Sequence, residues 1–202
     1  MMKLLHIILL ALFSATLVFG QISGNQHLPI EIKQAYKNGT RSASGYPGPN
    51  YWQNHAKYEI DVRLLLGENL LKGEEKVSYF NNSPDTLDRI VVRLYPNIYK
   101  KGNPREWPMG TEGENDGMII DWLLINGDSI DLDNRREAYV FATNLTVILP
   151  GPLLPGDSLL METRWKFEIS ERTLRMGNYG NNKYFIAYWY PQIAVYDDID
   201  GW

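Results

Sequence analysis

Between His55 and Leu66 the side chains alternate. Tyr58, Ile60, Val62 and Leu64 fall on one face, and Glu59, Asp61 and Arg63 on the other. A period of two marks a strand with one buried and one wet face, and an amphipathic helix does not produce it. Gly67-Glu68-Asn69 then supplies turn chemistry, and a second run extends to Phe80. There Leu71, Val77 and Tyr79 share a phase opposite Lys72, Glu74, Lys76 and Ser78, with Glu75 breaking the pattern. Asn81-Asn82-Ser83-Pro84-Asp85 is a dense turn cluster, after which Ile90, Val92 and Leu94 resume the alternation. The stretch reads as three antiparallel strands in a meander.

The remainder continues in the same manner. Met118–Ile125 and Ser129–Leu132 flank Asn126-Gly127, a two-residue hairpin signal. Ala138–Ala142 and Asn144–Leu149 are further strand candidates, and Pro150–Asp157 is a proline-glycine turn. Leu159–Ile169 alternates through Leu159, Met161, Thr163, Trp165 and Phe167, and Tyr184–Tyr196 is the last apolar run. About eight or more strands, with turns at roughly ten-residue intervals, predict an all-β antiparallel sandwich or a curved, saddle-like sheet. Ahead of it, residues 21–50 read as an arm. Leu28–Tyr36 can form a short helix begun by Pro29 and stopped by Lys37-Asn38-Gly39-Thr40, and Ser42–Asn50 should be an extended surface loop. Ile98–Gly117 is expected to be an inserted loop around Trp107. The domain proper is residues 51–202.

A chain of 202 residues with 44% apolar content can bury one ordinary core. A formal charge of −4 gives no basic footprint for nucleic acid. There is no cysteine, which excludes disulfides and thiolate chemistry. Residues 1–20 read as a secretory signal: Lys3 leads, Leu4–Phe19 is mostly apolar, and Val18-Phe19-Gly20 suits cleavage before Gln21. His6, Ser14 and Thr16 interrupt the run, which is short of the ~20 residues that a spanning helix needs. The expected destination is periplasmic or extracellular, with no membrane span once the signal is removed.

Catalytic arrangements are not evident. No Gly-x-Ser-x-Gly elbow, phosphate loop or dinucleotide fingerprint occurs. After the signal only His27 and His55 remain, 28 residues apart and with no helix joining them. Both are expected to be ordinary side chains rather than ligands. Glu162 with Glu168, or Asp197 with Asp198, can be proposed as carboxylate pairs, but solvated strand and turn positions explain them. Glu112-Gly113-Glu114-Asn115-Asp116-Gly117 has oxygen ligands at alternate positions, yet Leu123 stands where a calcium loop needs its closing carboxylate. No site residue is assigned to catalysis or to a metal on this chain.

Tyr51-Trp52-Gln53, the strand Tyr58–Leu66, the segment Asn81–Arg89, and Leu94-Tyr95-Pro96-Asn97 resemble the amino-terminal β domain of the M1 family of zinc metallopeptidases. This family comprises aminopeptidase N-like gluzincins, and the likeness is to secreted members from Bacteroidetes-type bacteria. Ile186–Gln192, Val195-Tyr196-Asp197-Asp198 and Gly201-Trp202 are similar to that domain's exit. The family's His-Glu-x-x-His motif, in which two imidazoles one helical turn apart hold zinc, is not in this sequence. The resemblance therefore implies a supporting domain whose partner is a missing catalytic domain. The zinc and the peptide substrate then belong to the longer parent. It also implies that the closing segment walls the cleft and holds the substrate's α-amine. Relatives often read Ala-Gln-Trp-Tyr-Pro where this chain has Ala187-Tyr188-Trp189-Tyr190-Pro191, so Tyr188, Asn182 and Gln192 are the candidate substrate-binding residues. If the catalytic part is missing, Trp189, Tyr190 and Trp202 should lie beside an exposed apolar face. The alternative is a free-standing exported sandwich whose Trp52, Trp107, Trp122 and Trp189 grip a glycan or peptide.

Overall fold

The structure is a computed structural model that describes residues 28–104, 113–171, 173, 175–180 and 182–202. The proposed signal segment, His27, Trp107 and Glu112 lie outside the described residues. Chain contacts divide the protein into two units, Met1–Tyr51 and Trp52–Trp202.

In the first unit, helix α1 (Ile30–Asn38) follows Pro29, with Glu31 in its first turn and Lys37 in its last, each where the helix dipole favours its charge. It stops at Gly39, which takes the left-handed φ of 72° that ends many helices. The segment after it is not extended as expected. It doubles back on the helix end, because Asn50 Nδ2 donates to Asn38 O (2.9 Å) and the Gly48 and Asn50 amides donate to Thr40 O and Gly39 O.

The second unit is all-β, and its named strands all pair antiparallel. One five-stranded sheet runs β1 (His55–Leu65), β2 (Leu70–Phe80), β8 (Ser158–Glu168), β4 (Ile119–Ile125) and β5 (Asp128–Ser129). A second, four-stranded sheet runs β11 (Gln192–Ile193), β3 (Leu87–Arg93), β7 (Asn144–Leu153) and β6 (Ala138–Phe141). The short ribbon of β9 (Met176–Asn178) and β10 (Tyr184–Ile186) stands apart. One continuous core holds Leu71, Val77, Tyr79, Met161 and Phe167 from the first sheet with Ile90, Val92, Leu145 and Val147 from the second. That arrangement is a sandwich, open at its edges.

The expected meander is corrected at its third strand. β1 and β2 pair as a hairpin, but β2 takes β8 as its other neighbour, and β3 crosses to the second sheet beside β7 and β11. The turn cluster is the cause. Asn81 is fully buried, and its Nδ2 donates to Asp85 O (2.8 Å) and Leu153 O (3.2 Å) while its Oδ1 accepts from Ser83 Oγ (2.6 Å). These bonds replace a hairpin turn and send the chain across to the end of β7. The expected strand Ser129–Leu132 is also shorter than its sequence suggests. Asp131 and Asn134 side chains cap nearby backbone amides, which competes with strand pairing. Asn126-Gly127 does close the β4–β5 hairpin, with φ of 52° and 90° as a type I′ turn demands.

Alternation holds best in the interior strands. Along β8, Leu159, Met161, Thr163, Trp165 and Phe167 are all buried, and along β2 Leu71, Val77 and Tyr79 are. β1 is paired only to β2 among the described residues, so its apolar phase is only partly covered and Val62 stays 39% exposed. A bulge at Asp121–Trp122 resets the phase of β4. Ile120 lies opposite Trp165 and Leu123 opposite Thr163, while Asp121 reaches Lys166 (2.9 Å) and Trp122 lies under Arg164 (5.6 Å).

Gly73 pairs with Trp165 across the β2–β8 ladder, and a Cβ there would meet the indole at 2.7 Å and Asp61 O at 2.8 Å. Gly73→Ala is therefore expected to destabilise the domain by about 1–3 kcal/mol through overpacking, read as a lower urea midpoint with an unchanged slope.

Candidate functional site

The segment that follows β10 is the candidate site, and its position depends on the inner face of the five-stranded sheet. Trp165, with no exposed surface, stacks near Phe167 (6.2 Å between centroids) and Trp189 (6.0 Å). Trp189 meets Tyr190 edge-on at 4.9 Å, and Tyr190 meets Tyr58 of β1 at 5.5 Å. Tyr58 Oη accepts the Ile193 amide (3.0 Å), which fixes the start of β11. A second set of rings runs Trp52–Tyr196–Trp202–Tyr79 at 5.7, 5.1 and 6.0 Å. Tyr196 Oη donates to Asp85 Oδ2 (2.8 Å), tying this end to the Asn81 cluster. Burial pushes the Tyr58, Tyr79 and Tyr196 hydroxyls up to about 12, so all three stay protonated donors or acceptors across the neutral range.

Glu75 lies in the middle of this inner face. It is 2% exposed, opposite Ile60 on one side and Thr163 on the other. Thr163 spends its hydroxyl on Trp122 O (2.7 Å), and neither Glu75 oxygen has a hydrogen-bond partner. Burial pushes the carboxyl up to about 8, opposed by the Trp165 indole N–H. That N–H is near enough to act on the charge, yet Trp165 Nε1 is likewise without a completed hydrogen bond. A buried carboxyl favours its neutral form where no donor fully compensates the ionised one. The sequence signal was visible as the charge that broke β2's alternation, but nothing local said that the phase would be enclosed.

The three candidate substrate-binding residues fall on separate elements. Asn182 is exposed in the turn between β9 and β10, with φ of 58°. Gln192 begins β11 opposite Arg93. Tyr188 is 44% exposed, with its ring 4.9 Å from that of Tyr95 and the Arg175 guanidinium 5.3 Å over its face. No hydrogen bond or ring contact joins the three among the described residues. Arg175, which sequence reasoning missed, carries no local pattern and arrives through the β9–β10 ribbon.

Trp189, Tyr190 and Trp202 lie beside exposed apolar side chains but are not themselves the exposed ones. They turn inward and are half-buried, and the exposed apolar side chains of this region are Phe185, Tyr188 and Val195. Of the aromatics offered for ligand binding, Trp52 and Trp189 belong to the ring stacks and Trp122 is covered by Arg164. His55 stacks on Phe80 (4.3 Å) at the start of β1. Glu162 pairs with Lys76 (2.9 Å), and Asp197 Oδ1 accepts the Ile199 and Asp200 amides (2.9 Å each) as a turn acceptor. Among the described residues no three His, Cys, Asp or Glu side chains stand close enough together to hold a metal ion. No described helix is long and apolar enough to cross a membrane.

No protein-family model matches the chain, and no curated protein matches it. Among solved structures it is similar to an M1 zinc metallopeptidase from Deinococcus radiodurans, at 17% identity and a TM-score of 0.39 over 61% of this chain. A mutant of that enzyme bound to a Tyr-Ser-Ala substrate matches 68% of the chain at 16% identity and a TM-score of 0.39. A two-domain M1 zinc metallopeptidase mutant bound to L-tryptophan matches 65% at 16% identity and a TM-score of 0.40. The part matched is the amino-terminal domain of those enzymes. This chain spans only 22–24% of their length.

Glu75 makes stability depend on pH. Between its ordinary value of 4.5 and about 8, the folded chain holds a proton that the unfolded chain has released. Stability is fully present below pH 4.5 and falls as pH rises through that window, at roughly 1.4 kcal/mol per unit of pKa separation. Glu75→Gln is expected to remove most of this decline, measured as the urea midpoint at pH 5 and pH 9. Equal slopes for the two proteins would refute the assignment.

Proposed function

We propose that this chain is the amino-terminal β domain of an exported M1-like zinc aminopeptidase. It carries no catalytic residues of its own, and it braces a catalytic domain and walls the cleft that receives the peptide. The zinc belongs to that other domain. The reading rests on one observation above the rest: the closing segment, which bears the family-like residues Trp189-Tyr190-Pro191-Gln192, is pinned from behind while its flanks stay apolar and open. Trp165 and Tyr58 hold Trp189 and Tyr190 against the sheet, and Phe185, Tyr188 and Val195 remain exposed. A rigidly backed segment with exposed apolar side chains suits a domain interface. Export is supported by Lys3, the apolar Leu4–Phe19 and the small residues before Gln21.

The purified chain, supplied with zinc and amino-acid arylamides, is expected to hydrolyse nothing. Mixed with a separately expressed M1 catalytic domain, it is expected to raise that domain's kcat/KM. Stoichiometric zinc together with peptide cleavage by this chain alone would overturn the proposal.

A further inference from the structure

A pocket of about 330 Å3 opens beside the β9–β10 ribbon, apart from the ring stacks that hold the closing segment. Its walls are mostly apolar: Tyr95, Tyr99, Ile98, Met176 and Ala187. Among its described lining residues one is a cation. Arg175 stacks over Tyr188 and donates from Nη1 to Tyr188 Oη at 3.3 Å. The Ala187 amide donates to Arg175 O (2.8 Å), so the two sides of the pocket are tied together through the backbone. Tyr188 itself has φ of 53°, in the left-handed region that a bulky side chain avoids, and its ring is held between Tyr95 and Arg175. Strain of this kind persists only where the surroundings enforce it, and such positions gather at binding sites.

From this geometry we infer that the pocket binds the acidic side chain of a peptide, with Arg175 on the carboxylate and the tyrosine-lined wall on the side chain's methylenes. A guanidinium has five N–H donors in a planar fork, and only one is engaged by Tyr188. No carboxylate pairs with Arg175 among the described residues, whereas Arg164 on the five-stranded sheet is bound to Glu74. A planar cation set beside an apolar wall matches a carboxylate on a short hydrocarbon stem, in charge and in shape. The volume suits one side chain. The same ribbon leaves Tyr179 and Phe185 exposed, which favours an extended polypeptide over a small free acid. A positive charge at this position also opposes an ammonium group, so Tyr188 is better placed to meet an acidic side chain than an α-amine. Its lining residues named here are all on this chain, so the test below is made without a catalytic partner and its outcome is separate from that of the proposed function.

The test is titration of the isotopically labelled full chain with N-acetyl-L-glutamate α-amide, followed by amide chemical shifts. Saturable shifts are expected at Met176, Ala187 and Tyr188, with affinity at least about tenfold above that of the glutamine analogue, the gain of a charge-assisted over a neutral hydrogen bond. Arg175→Gln is expected to lose about tenfold or more, and Arg175→Lys to recover part of the loss. Arg175 is exposed, and an unchanged spectrum elsewhere shows that each variant is folded. The proposal is overturned by absence of saturable shifts, by equal binding of the two analogues, or by unchanged binding in Arg175→Gln. Butyrate binding as tightly as the glutamate amide would also overturn it, by assigning the pocket to free acids.

Discussion

Trp165 lies against β2 where residue 73 has no side chain, and from that contact the interior of the domain is built outward. The indole sits deep enough between the sheets to touch Phe167 on its own strand and Trp189 on the closing segment. Through Trp189 it positions Tyr190, and through Tyr190 the ring of Tyr58. A side chain at position 73 would lift the indole off the ladder and move every ring that leans on it. The end of the chain is thus held by stacking on a buried strand, while its register comes from the pairing of β11 with β3, where the Ala194 amide donates to Val91 O (2.7 Å), and from the Ile193 amide on the Tyr58 hydroxyl.

Glu75 sits two residues further along the same strand. An unpartnered carboxyl buried there lowers stability as pH rises, which an apolar residue would not. Its neighbours look elsewhere: Thr163 bonds to Trp122 O, and the Tyr58 hydroxyl accepts the Ile193 amide. Buried polar groups without partners are rare in folded proteins, and this one lies in the layer that supports the candidate site. The outer face of the same sheet is the opposite case. There a groove of about 680 Å3 is lined by Glu74, Arg164, Asp121 and Lys166, which neutralise one another in pairs and are well hydrated.

Much of this was readable from residue order. Period-two alternation located β1, β2 and β8 because one face of each is enclosed or wet along its whole length. Asn126-Gly127 located a hairpin because its backbone angles are a property of those two residues. Sheet membership was not readable, since alternation says which side of a strand is buried and not which strand lies beside it. β3 went to the second sheet through Asn81, whose bonds to Leu153 and Asp85 join residues far apart in sequence. The candidate site was legible only in part. Tyr188 was singled out by its place in a family-like motif, but Arg175 reaches it across a ribbon that no local pattern announces. That Trp189 and Tyr190 are half-buried was not legible, because their partners Trp165 and Tyr58 lie on other strands.

The outermost strand of the five-stranded sheet has its own consequence. Among the described residues β1 has no neighbour on its outer side, and an edge of eleven residues invites a second molecule to add to it. When two such edges align antiparallel over their full length, Ile60 meets Ile60. Lys57 then faces Arg63, and Glu59 faces Asp61, so every charged pair in the alignment is like against like. The order of charges along β1 thus makes the longest self-pairing repulsive, and helps to keep copies of this domain from zipping together.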